Sequence, residues 1–134
     1  MQDIQGRILI IDDHAELLFG LAVLLNSVGY EVDTVESGED GLRQLSESHY
    51  DVVVVDFRLP GMSGREFIEQ VRQQPSTSGL PIVAFTASVT KLEECILAGA
   101  TKGLNKPCRF DTLVSELRSV LAEANKAKPA VRAI

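Results

Sequence analysis

The sequence predicts an α/β fold, a mostly parallel sheet with helices wound on both faces. Three observations carry that prediction. The runs Ile8-Leu9-Ile10-Ile11, Val52-Val53-Val54-Val55 and Ile82-Val83-Ala84-Phe85 are continuous and apolar but too short for buried helices. That is the pattern of strands covered on both faces. Helical stripes separate the runs, so strands and helices alternate at near-even spacing, as βαβ units require. Finally, each run stops on polar residues: Asp12-Asp13 after the first, Asp56 after the second and Thr86 after the third.

Arg7 to Ile11 is the first strand. Leu17, Leu18, Leu21, Leu24, Leu25 and Val28 recur at helical spacing and make the apolar stripe of a first helix, which Gly29 ends as a left-handed cap. Glu31 to Val35 alternates and reads as a strand with one wetter face, near a sheet edge. Ser37 is placed to cap a second helix that buries Leu42 and Leu45. The four valines after Asp51 form the third strand, broken at Pro60-Gly61. Ser63 caps a third helix, expected from about Gly64 to Gln74, just before Pro75. Pro81 to Phe85 is the fourth strand, and a helix from about Thr90 to Ala98 stops at Gly99. Lys102 to Asn105 is a weak fifth strand, followed by Lys106-Pro107. A last helix carries Leu113, Leu117, Val120 and Leu121 on one stripe, with Asp111 near its positive end. Residues 5–124 are expected to form one domain, and residues 125–134, rich in Lys, Ala and Pro, a frayed tail.

Composition narrows the function classes. The chain has 134 residues, 45% hydrophobic and 24% charged, a soluble globular profile. A net charge of −6 offers no basic field for nucleic acid. No apolar run approaches the roughly 20 residues of a membrane span, and the first residues lack a signal-peptide pattern. Cys95 and Cys108 show neither disulfide nor metal-knuckle spacing, so they are expected to be reduced thiols in a cytoplasmic protein. His14, beside the acidic pair, is expected to face solvent, and His49 has no evident partner.

A five-stranded doubly wound sheet of flavodoxin-like type has strand order 2-1-3-4-5 and binds ligands beyond the carboxyl ends of its strands, at the switch between strands 1 and 3. In that order Asp12, Asp13, Asp56, Thr86 and Lys106 share one rim. Carboxylates crowded together repel, and a divalent cation such as Mg²⁺, which takes oxygen ligands and pairs with phosphate, removes the conflict. Lys106 and Thr86 supply a cation and a hydroxyl for an anion. The set suits phosphoryl transfer, with Asp56 as the nucleophile that becomes an acyl phosphate.

These motifs, Ile10-Ile11-Asp12-Asp13, Val55-Asp56 with Leu59-Pro60-Gly61-Met62-Ser63-Gly64, Phe85-Thr86-Ala87 and Lys106-Pro107, resemble the response-regulator receiver family of two-component signalling. The resemblance spans Ile8 to about Leu121 and is to the single-domain type. It implies that Asp56 accepts a phosphoryl group from the phosphohistidine of a sensor histidine kinase or a histidine phosphotransfer protein. It implies that Asp13, Asp56 and the backbone carbonyl of Arg58 bind Mg²⁺ with help from Asp12, and that Thr86, Ala87 and Lys106 hold the phosphoryl oxygens. It further implies a phosphorelay switch rather than a turnover enzyme, acting as a monomer or a phosphorylation-linked dimer. Its downstream protein target would bind the face made by the fourth helix, fifth strand and fifth helix.

Two positions depart from the family pattern. Where an aromatic residue commonly precedes the site lysine by three positions, this chain has Gly103, which has no rotamer to switch and leaves a small gap on that face. Where a large apolar residue often follows Lys-Pro, it has Cys108, read as a small core thiol. Arg58 is expected to lie across the site and slow hydrolysis of the acyl phosphate, and Ser88 is the other residue able to steer the attacking water. The sequence leaves three other readings open. The chain could be a receiver cut from a larger regulator or hybrid kinase, whereas the leading expectation is a stand-alone switch without a DNA-binding output domain. It could be an aspartate-nucleophile phosphatase, which wants an acid where Arg58 stands. It could also be a phosphorylation-independent interaction module.

Overall fold

A computed structural model describes residues 4–127. It contains strands β1 (Gly6–Ile11), β2 (Tyr30–Val35), β3 (Val52–Val55), β4 (Ile82–Thr86) and β5 (Lys102–Asn105). Between and after them run helices α1 (Ala15–Ser27), α2 (Gly38–Glu47), α3 (Gly64–Gln73), α4 (Val89–Ala98) and α5 (Phe110–Ala127). The strands form one five-stranded sheet in the order β2-β1-β3-β4-β5, and every neighbouring pair is parallel. The alternation of apolar runs and helical stripes therefore yields the flavodoxin-like doubly wound arrangement that it predicts.

Because successive strand residues point to opposite faces, each apolar run feeds two cores. Ile8, Ile10, Val52, Val54, Val83 and Phe85 face α1 and α5, where they meet Leu18, Leu25, Leu113, Leu117 and Val120. Leu9, Ile11, Val53, Val55, Ile82 and Ala84 face α2, α3 and α4, where they meet Phe67, Ile68, Val71 and Cys95. Burying a valine side chain contributes about 1.5–3 kcal/mol relative to leaving it exposed. The β3 run is buried throughout, as are the apolar runs of β1 and β4 on either side of it, and it is the one that carries Asp56.

The predicted caps are in place. The Ser37 hydroxyl accepts the Asp40 N–H at 3.1 Å. Ser63 and Glu66 form a capping box at the start of α3. Gly29 adopts φ +100°, the left-handed region that favours glycine. Three expectations need revising. Leu24 is 45% exposed, because Leu18, Leu21, Leu25 and Val28 already fill the face of α1 turned to the sheet. The fourth helix begins at Val89, since Ser88 rather than a later residue is its N-cap. Residues 125–127, assigned to the tail by composition, continue α5. Ala and Lys are good helix formers, and Lys126 lies 3.8 Å from Glu123 one turn earlier. The rest of the expected tail, 128–134, lies outside the described residues. Among the described residues no helix is long and apolar enough to cross a membrane.

Candidate functional site

Register decides where the polar residues meet. Ile11 pairs with Val55 and Val55 with Ala84, so Asp12 and Asp56 leave the sheet side by side. The Asp56 N–H donates to the Ile11 carbonyl at 3.0 Å. At the neighbouring pair, Thr86 lies opposite Asn105, and the Lys106 N–H donates to the Thr86 carbonyl at 3.0 Å. Main-chain bonds thus set the acids and the lysine on one rim before any side chain contributes. Arg58, Ala87 and Ser88 complete a cleft of about 330 Å³ lined also by Asp56, Thr86 and Lys106.

Carboxylate oxygens of Asp12, Asp13 and Asp56 all lie within 4.8 Å of one another. The Lys106 ammonium donates to Asp12 Oδ2 and to Asp56 Oδ2, the latter at 3.2 Å, and sits 5.3 Å from the centre of the Phe85 ring. Asp12 Oδ1 accepts the His14 N–H at 2.9 Å, and Asp56 Oδ1 accepts the Arg58 N–H at 3.4 Å. Asp12 and Thr86 are each 3% exposed, whereas Asp13 is exposed and makes no ion pair among the described residues. Three carboxylates against one ammonium leave a formal charge of −2 at the rim. A hard divalent cation with oxygen ligands fits this donor set, since no nitrogen or sulfur ligand joins the cluster.

The loop that carries Asp56 is held by backbone packing. A Cβ on Gly64 would collide with the Asp56 carbonyl oxygen, so only glycine lets the start of α3 lie directly against the loop. The Gly64 N–H donates to the Phe57 carbonyl at 2.8 Å. Gly61 turns the chain at φ +72°, and Glu39 of α2 accepts the Met62 N–H at 3.2 Å.

Every predicted site residue reaches this rim, with Asp12 serving twice, as an acid of the cluster and as the acceptor that shapes the turn into α1. His14 is the exposed N-cap of α1, as expected. His49 does have a partner, Asp51 Oδ1 at 3.3 Å. Burial pushes both thiols up, Cys95 to about 11 with the Glu94 and Asp56 charges adding to it, so neither is poised as a thiolate. The gap expected at Gly103 is largely filled by Leu92, which would lie 3.2 Å from a Cβ there, but the surface beside it is open. A groove of about 590 Å³ runs over it between α4 and β5, lined by Val89, Leu92, Ile96 and Leu97 but not reaching α5. Two further contacts lie near the site. The Ser88 hydroxyl is engaged as the α4 cap, accepting the Lys91 N–H at 3.2 Å. The Lys91 ammonium lies 4.9 Å from the centre of the Phe57 ring, beside Asp56.

Known proteins carry the same frame. The family described as Response regulator receiver domain matches residues 8–118. The two-component response regulator PhoP of Pseudomonas aeruginosa is 32% identical over 119 residues, covering 89% of this chain and 53% of its own. The chain thus spans about half the length of that regulator. Chemotaxis response regulator CheY4 of Vibrio cholerae superimposes with a TM-score of 0.81 at 30% identity, covering 89% of this chain and 99% of its own. The receiver domain of sensor histidine kinase PA1611 from Pseudomonas aeruginosa, solved with a magnesium ion in its active-site cleft, has a TM-score of 0.82 at 28% identity and covers 87% of this chain and 98% of its own. With the sheet order, the acidic cluster and these matches in agreement over most of its length, this chain belongs to the response regulator receiver domain family.

Proposed function

We propose that this receiver works as the phosphoacceptor switch of a two-component or phosphorelay system, with Asp56 as the acceptor. The observation that carries the reading is the position of Asp56. Its carboxylate is hydrogen-bonded to Lys106 and clustered with Asp12 and Asp13 at the mouth of a cleft. In the reaction a carboxylate oxygen of Asp56 attacks the phosphorus of a phosphohistidine on a sensor kinase or phosphotransfer protein. A C–O–P acyl phosphate forms, the P–N bond breaks, and its electrons leave with the imidazole. Asp13, Asp56 and the Arg58 carbonyl would hold Mg²⁺, assisted by Asp12. When bound, the ion neutralises the negative charge that otherwise keeps a phosphoryl donor away. Lys106 is placed to pair with a phosphoryl oxygen once Asp56 is phosphorylated, and Thr86 and Ala87, which line the same cleft, would offer a hydroxyl and a backbone N–H.

The product adds roughly −1.5 to −2 charge and three strong acceptor oxygens at this rim. Drawing Thr86 inward onto them would shift a two-state equilibrium at the start of α4. The groove over Gly103 and the exposed apolar residues Val89, Ile96 and Leu97 make the α4–β5 side the surface on which we place the downstream protein.

Incubation with Mg²⁺ and acetyl phosphate, followed by intact mass, tests the reading. The wild type is expected to gain one phosphoryl group and Asp56→Asn none. An adduct that survives Asp56→Asn would overturn it. Rapid turnover of the donor without an adduct would also do so, in favour of a phosphatase.

A further inference from the structure

We infer that Lys91 is a positioning residue that ties the Asp56 loop to the Thr86 loop and carries the phosphorylation state of Asp56 into α4. The inference rests on the proposed role of Asp56 and adds a route by which its modification reaches the surface.

The contacts form a closed circuit around the cleft. Lys91 lies in the first turn of α4, and its N–H is held by the Ser88 hydroxyl at 3.2 Å, two residues after Thr86. Its side chain crosses to the other wall, where the ammonium lies 4.9 Å from the centre of the Phe57 ring. Phe57 directly follows Asp56, and its carbonyl accepts the Gly64 N–H at 2.8 Å. The next residue, Arg65, reaches Glu94 Oε1 at 3.6 Å. Glu94 closes the circuit by accepting from Lys91 at 3.0 Å. Lys91 thus contacts both Phe57 of the acceptor loop and Glu94 of α4.

Its chemistry suits a relay. An ammonium on a four-carbon stem can move while its anchor stays fixed. Both of its present partners, a ring face and a carboxylate, are ones it can leave for a stronger anion. A phosphoryl group on Asp56 would place new negative charge beside Phe57. Lys91 would then weigh Glu94 against the phosphoryl oxygens, and α4 would follow it, because Lys91 and Glu94 both belong to that helix. The receiving surface has room beside it. Leu92 and Ile96 of α4 close over Gly103 of β5, where an added Cβ would lie 3.2 Å from Leu92, and both residues also line an open groove. No side chain of residue 103 can carry the signal here, whereas the Lys91 circuit reaches the same helix from the acceptor side.

The test measures amide hydrogen exchange in α4 with and without Mg²⁺ and acetyl phosphate, divided by the phosphorylated fraction from intact mass. It is run on the wild type, Lys91→Met, Lys91→Arg and Glu94→Gln. Phosphorylation is expected to change α4 exchange in the wild type. Per phosphorylated molecule, that change should fall by at least about threefold in Lys91→Met and in Glu94→Gln, within the range by which single residues modulate coupling. Lys91→Arg, which keeps the charge over Phe57, should retain it. Either Lys91→Met or Glu94→Gln can carry the test if the other does not fold. An α4 response unchanged in the folded variants, or absent in a phosphorylated wild type, overturns the relay and leaves the acceptor role intact. A wild type that takes no phosphoryl group overturns both.

Discussion

The two ends of the sheet hold polar clusters built to opposite rules. At the amino-terminal rim, Arg7 donates to Asp33 at 3.2 Å and to the His49 carbonyl at 3.0 Å, and stacks over the Tyr50 ring at 4.9 Å. The Tyr50 hydroxyl donates to Asp33 at 2.5 Å and accepts from Gln44 at 2.9 Å. Asp51 accepts the Arg7 N–H at 2.8 Å. Each of these acids has donors, and the network locks the ends of β1, β2 and β3. At the carboxyl-terminal rim three acids cluster, one lysine pairs with Asp12 and Asp56, and Asp13 has no ion pair among the described residues. Both rims are polar, and both stand on the same strands. A balanced cluster stabilises a frame, whereas an unbalanced one holds charge in readiness for a ligand.

The contrast can be tested by substitution, the largest effect first. Removing an acid from the unbalanced rim should help the cation-free protein and harm the loaded one. Asp13→Asn is expected to lower Mg²⁺ affinity by about tenfold or more, the loss of some 1.4 kcal/mol of interaction, and to raise cation-free stability by up to about 1 kcal/mol as repulsion falls. Thermal unfolding with and without Mg²⁺ measures both, and lower stability of the variant in the absence of Mg²⁺ would show that the rim is not strained by its charge.

The balanced rim should behave in the reverse way. Tyr50→Phe removes the bond to Asp33 and is expected to cost about 1 kcal/mol at neutral pH, without affecting phosphorylation. Its pH dependence is distinctive. Burial, with the Asp33 hydrogen bond and charge, raises the Tyr50 hydroxyl from 10.0 to about 12. The folded chain keeps this proton longer than the unfolded one. The associated stability is fully present below pH 10 and is lost as the pH rises towards about 12, on the order of 2 kcal/mol at 1.36 per unit. Denaturant titrations at pH 9 and 11.5 should show that decline in the wild type relative to Tyr50→Phe, and parallel curves would contradict it.

The smallest effect concerns Arg58, which is exposed at the lip of the cleft. Replacing it by Ala is expected to shorten the life of the acyl phosphate severalfold by admitting water. Equal lifetimes would leave its backbone as its only contribution.

Much of this arrangement is legible in the sequence because it depends on local pattern. The valine run, the caps at Ser37 and Ser63 and the acids ending β1 and β3 all follow from periodicity and residue type. Their convergence follows from a strand order that short parallel crossovers favour. What escapes the sequence depends on contacts between distant elements. Leu24 has the spacing of a core residue, and only the packed width of α1 shows that the sheet has no room for it. His49 finds Asp51 because the α2–β3 turn folds back on itself. Lys91 has the look of an ordinary surface lysine until α4 is set against the acceptor loop, where Phe57 lies under it. The end of α5 is misjudged for a simpler reason, since the alanines and lysines that suggest a tail also favour a helix.

The most direct test of the central claim is to locate the phosphoryl group. The protein would be phosphorylated with acetyl phosphate and Mg²⁺, then treated with borohydride, which reduces an acyl phosphate to an alcohol and leaves free carboxylates untouched. Peptide mass mapping should find homoserine at position 56 and an unchanged aspartate at 12 and 13. Reduction at Asp12 or Asp13, or no reduced residue in a protein that has gained the phosphoryl mass, would contradict the account.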